Sequence, residues 1–113
     1  VWQRSKYLAV YIYTITNSGK FGKDYSFRDQ MRRASASISS NIAEGDEGGT
    51  DKEAERYFYI AKGSSAEVLT QAIIAFEIGY IQKDTFDEIE QRCIEISDTL
   101  SRLISARSKT FDH

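Results

Sequence analysis

A chain of 113 residues that is 41% hydrophobic and 28% charged can bury a core of its own, about two-thirds of its unfolded surface, and is too apolar for a disordered tail. Its net charge of −2 excludes a globally basic protein, but the charge is uneven: Arg4, Lys6, Lys20, Lys23, Arg28, Arg32 and Arg33 face only Asp24 and Asp29 in the first 33 residues, and the rest of the chain is acidic. Cys93 is alone, which excludes an internal disulfide and points to a reducing cytoplasm, and no apolar run reaches the length of a membrane span. No signal peptide is legible, and the absence of proline suits a chain made mostly of uninterrupted helix.

In chain order, the first predicted helix covers residues 2–17, with Tyr7, Leu8, Tyr11, Ile12 and Ile15 on its buried face and Trp2 anchoring its start. The run from Val10 to Ile15 is also rich in strand formers, but its helical spacing and the lack of a partner strand favour helix. A loop with Gly19 and Gly22 leads to the second helix, residues 27–44, with Ser26 as expected N-cap and Gly45 as expected C-cap. Phe27, Met31, Ala34, Ile38, Asn41 and Ile42 share one face, while Ala34 to Ser40 are almost all small. So thin a helix lets neighbouring backbones approach, which places it at a helix contact.

The third helix, residues 51–79, opens on the capping box Thr50–Glu53 and carries an apolar stripe from Ala54 through Phe58, Ala61, Val68, Ala72 and Ile73 to Phe76. Gly63 interrupts it, at a cost of about 1 kcal/mol against Ala, so Gly63 is expected in close contact with Ala34 and Ser37. The fourth helix, residues 85–106, starts at Thr85 and repeats Phe86, Ile89, Cys93, Ile96, Leu100 and Leu103 on a heptad seam; the end of the chain is expected to fray. Short connections between long amphipathic helices predict one all-α domain over 1–113, an up-down-up-down antiparallel four-helix bundle.

Two ordered blocks carry a family resemblance. Gln30-Met-Arg-Arg-Ala-Ser-Ala-Ser-Ile-Ser-Ser-Asn-Ile-Ala-Glu-Gly45 and Tyr59-Ile-Ala-Lys-Gly-Ser-Ser-Ala-Glu67 resemble the signatures of the four-helix-bundle proteins encoded in 23S ribosomal RNA intervening sequences, a family that includes accessory proteins of diversity-generating retroelements. The proline that usually precedes the first block is missing here. The resemblance implies a bundle, assembly into homopentameric rings, and as partners a structured RNA or a reverse-transcriptase-type protein.

Residues for chemistry are few. The one histidine, His113, ends the chain, so there is no Ser-His or Cys-His pair and no histidine metal site; no catalytic residue, metal or cofactor is expected, and no enzyme. Glu44 and Glu67 lie next to core positions, so a buried polar network of Arg33, Asn41, Glu44 and Glu67 is expected, because a buried carboxylate needs a partner. Arg32 is then the freer arginine, and with Arg28, Lys20, Lys23 and Lys6 it forms the candidate contact to RNA phosphate or to a partner. Seven tyrosines exceed what so small a core can enclose, which suits subunit interfaces, with base stacking as the rival use. Two functions follow: a ring-forming nucleic-acid-associated accessory protein, or a purely structural homo-oligomer that acts through protein contacts.

Overall fold

The structure, a computed structural model, describes the backbone of residues 1–111 and the side chains of residues 1–108. Among the described residues there is no strand, and five helices follow in order: α1 (Trp2–Ile15), the short α2 (Gly19–Lys23), α3 (Tyr25–Glu47), α4 (Asp51–Glu77) and α5 (Lys83–Phe111). The fold is all-α, and its four long helices are the four predicted ones. The fifth, α2, stands where a loop is expected. Its reason is Phe21, which is fully buried and stacks at 5.2 Å on Phe27 and 5.3 Å from Tyr80.

Local chemistry moves several helix ends. Asp24, not Ser26, caps α3: its Oδ1 accepts the Phe27 N–H at 3.3 Å while Oδ2 accepts the Tyr80 hydroxyl at 2.8 Å. One carboxylate thus starts a helix and ties down the α4–α5 turn. At the other end α3 runs through Gly45 to Glu47, so Gly45 is no C-cap. It is there for lack of a side chain: a Cβ on it would lie 2.5 Å from Cε1 of Phe58. The Thr50 cap is as predicted, with its Oγ1 accepting the Glu53 N–H at 3.1 Å. Helix α4 ends in a Schellman turn, where Gly79 takes φ +80° and Tyr80 N–H reaches Ala75 O at 2.8 Å. Helix α5 starts at Lys83 and does not fray from Ser105; Arg107 pairs with Asp51 at 2.9 Å and Ser108 donates to Glu55 at 3.1 Å, holding the last turns against α4.

Packing follows from these pairings. Helix α3 lies between α1 and α4, α4 between α3 and α5, and α5 also touches α1, so the order around the bundle is α1–α3–α4–α5. Contacts descend along the partner in each case: Ser37 with Ser64 and Asp24 with Tyr80, Ser65 with Ser97 and Asp51 with Arg107. Helix α4 therefore runs antiparallel to both α3 and α5, in a body of 52 × 21 × 19 Å. Most of the core is as predicted, led by Leu8, Ile12, Met31, Ile38, Ile42, Phe58, Val68, Ile89, Ile96 and Leu100, each contributing roughly 1.5–3 kcal/mol by burial; Phe21, Ala75 and Ile81 join it. Cys93 belongs to it as a small apolar residue, and its burial pushes the thiol up to about 11. Tyr7 and Ile73, expected inside, are exposed.

A polar seam crosses this core at mid-height. Asn41 Nδ2 donates to Ser37 O at 2.8 Å and Ser37 Oγ at 3.0 Å, Ser37 and Ser64 share a bond of 3.0 Å between α3 and α4, and Ser65 donates to Cys93 O at 3.2 Å while accepting from Ser97 at 3.1 Å. Small serines thus let three helices close up and supply each other with partners. Of the residues expected at close helix contacts, Ala34 is buried and Ser37 is bonded across to α4. Gly63 does not, since nothing lies within 4 Å of where its Cβ would be.

Candidate partner and nucleic-acid interface

Of the buried network, the structure corrects the central expectation. Arg33, Glu44 and Glu67 are all exposed, and none has an ion pair among the described residues. The stripe that holds Arg33 and Glu44 lies on the outward flank of α3, about 200° round from Met31 at 100° per residue. Asn41 alone is engaged, through Ser37.

Arg32 takes the inward role instead. It is half-buried; its Nε donates to Thr16 Oγ1 at 2.9 Å, its Nη2 donates to Tyr13 O at 3.3 Å, and its guanidinium stacks 4.7 Å from the Tyr13 ring centroid. These contacts close the C-terminal end of α1 onto α3, so Arg32 is not the freer arginine. The ring of Tyr13 is the signal in the sequence that could have shown this, since it lies one turn before Thr16 on the α3 side of α1.

Arg32 and Lys6 border an open apolar groove of about 800 Å³ between α1 and α3, walled by Trp2, Val10 and Tyr13 and floored by Ala36. Trp2 anchors no core: it is 41% exposed, Val10 56% and Tyr13 47%. Lys6 lies over the edge of this wall, its Nζ 4.8 Å from the Tyr7 ring and 5.6 Å from that of Trp2. Ser39 Oγ is shut from solvent in the groove without a hydrogen-bond partner. A concave apolar surface with two cations at its margin fits a protein or helix partner better than a phosphate backbone.

The other predicted cations gather elsewhere, at the α2–α3 corner. Lys20 and Lys23 are exposed and line a shallow depression with Tyr25 and Tyr80. Arg28 adjoins it, stacked 4.8 Å from the Tyr25 ring, paired with Asp29 at 3.0 Å and donating to Gly22 O at 3.3 Å. Tyr25, 66% exposed, turns its other surface to solvent. Asp24 also borders this depression, but its carboxylate is taken by Tyr80 and the α3 N-terminus. So the five candidate contact residues fall into two groups, Lys6 with Arg32 and Lys20 with Lys23 and Arg28.

Among the described residues no group of His, Cys, Asp and Glu could hold a metal ion, and no helix is long and apolar enough to cross a membrane. His113 lies outside the described residues. Cys93 is buried and held protonated, a poor nucleophile.

Fold and surface together define an all-helical bundle protein with unpartnered apolar and basic faces. The chain belongs to the family of 23S rRNA-intervening sequence proteins, which it matches over residues 1–102. It is similar in fold to a crystallised protein of unknown function from the S23 ribosomal protein family of Bacteroides thetaiotaomicron, with a TM-score of 0.84 at 22% identity over 91% of this chain and 96% of that one. No curated protein matches the chain.

Proposed function

We propose that the protein is a non-catalytic, ring-forming homo-oligomer that associates with structured RNA as an accessory or scaffold. The observation that carries the RNA half is the α2–α3 corner, where Lys20, Lys23 and Arg28 surround the exposed ring of Tyr25 and neither lysine has an acidic partner among the described residues. Cations on a short helix meet phosphates, and a tyrosine between them offers a base a stacking surface. The family supports both halves of the reading: its name ties it to ribosomal RNA, and the resemblance to retroelement accessory proteins adds a pentamer and a reverse-transcriptase-type protein partner as the specific forms. Fluorescence anisotropy of a labelled RNA hairpin at two salt concentrations tests the RNA half. Affinity should fall steeply with salt, and Lys20→Gln and Lys23→Gln should each lower the log–log slope by about one. RNA binding that is absent, or indifferent to salt and to both substitutions, would contradict it.

A second reading, a purely structural homo-oligomer without a nucleic-acid role, is favoured by the apolar groove between α1 and α3. It predicts assembly that ignores RNA.

A further inference from the structure

The bundle order α1–α3–α4–α5 sets the α1–α3 flank and the α4–α5 flank on opposite sides of the molecule. The first is the groove of Trp2, Val10 and Tyr13, margined by Lys6 and Arg32. The second carries two exposed isoleucines, Ile73 at 42% and Ile94 at 49%. Ile94 precedes by three residues Ser97, whose hydroxyl reaches Ser65 on α4, so it stands on the α4 side of α5. Ile73 follows by two turns Ala66, the neighbour of Ser65, and stands on the α5 side of α4.

The charges beside these isoleucines have the opposite sign to those of the groove. Glu77 lies four residues after Ile73, and Glu90 and Asp98 lie four before and four after Ile94, each on the same stripe as its isoleucine. None of the three has an ion pair among the described residues. An isologous dimer needs one self-complementary patch. Here one face is apolar with cations, and the face across the molecule is apolar with acids.

Resting on the self-assembly half of the function just given, we propose that the α1–α3 groove of one copy receives the Ile73–Ile94 face of the next, in a head-to-tail contact. Lys6 and Arg32 then meet Glu77, Glu90 and Asp98 of the neighbour, and the contact repeats from copy to copy, since each keeps its second face free for another; a ring results where the rotation between copies closes. Like-charge juxtaposition opposes the groove-to-groove alternative.

Charge-swapped variants test this. Val10→Glu sets an acid in the groove against an acidic face, and Ile94→Lys sets a base against the basic groove; both positions are exposed, so circular dichroism and melting should match the wild type. By light scattering each variant alone should run as a single chain. Their equimolar mixture should associate again, because the acidified groove of the first variant suits the basic face of the second, and the unaltered surfaces suit each other. Either variant assembling alone like the wild type, or a mixture that stays dissociated, overturns the pairing of faces. A wild type that is itself a single chain sinks the assembly reading beneath it, which is a different result.

Discussion

Arg32 and Arg33 are neighbours in sequence with unlike fates, because adjacent helix positions point about 100° apart. Arg32 turns to α1 and is held by Thr16, the Tyr13 carbonyl and the Tyr13 ring, whereas Arg33 turns to solvent. Arg32→Ala should cost about 1 kcal/mol in urea melts and Arg33→Ala less than about 0.5 kcal/mol. Equal losses, or the reverse order, would return the inward role to Arg33. At Gly45 the constraint is steric: Gly45→Ala drives a methyl into the fully buried Phe58 ring and should cost roughly 1–3 kcal/mol, so an unchanged melt would mean the ring has room. Cys93 gives a pH dependence with a definite sign. Its thiol is raised from 9.0 to about 11, chiefly by burial, so the unfolded chain loses this proton first. The stabilisation is complete below pH 9 and disappears as pH rises to about 11, a difference of roughly 2–3 kcal/mol. Melts of Cys93→Ala against wild type across that window should show the wild type alone losing this increment; parallel curves would contradict it.

Helices were the legible level. Apolar spacing located all four long ones and most of their buried faces, and the Thr50 cap was visible as a residue pair. What spacing does not record is which neighbour a small residue meets. Gly45 and Gly63 look alike in the sequence, yet Gly45 lies under Phe58 while Gly63 opens outward, so the close contact expected at Gly63 is made by Gly45 and the serines. The same blindness put Glu44 and Glu67 beside the core when they stand one step round from it, outside. Helix α2 escaped notice because five residues are too few for periodicity, with Phe21 as the only trace. Gly63, with open space where a Cβ would stand, gives an element-level prediction: Gly63→Ala should raise stability by about 0.5–1 kcal/mol, and a loss instead would mean that something packs there.

For the whole molecule, the distribution of charge matters more than its sum. Three of the ion pairs, Arg4–Glu95, Lys83–Asp87 and Arg92–Glu88, use acids of α5, and a fourth joins Arg107 of α5 to Asp51 of α4. Lys6, Lys20, Lys23, Arg32 and Arg33 enter none among the described residues, which leaves their charge open to a polyanion although the chain is acidic in total. With the basic corner at α2–α3 and the apolar groove along α1–α3, the proposed RNA association and the proposed self-assembly would use different residues and be separable by mutation. Size-exclusion light scattering of the wild type, with and without a structured RNA and at two salt concentrations, bears on both at once. A particle of several chains that gains mass with RNA at low salt and loses that gain at high salt is the expected result; a lone 12.9 kDa species that ignores RNA would contradict it.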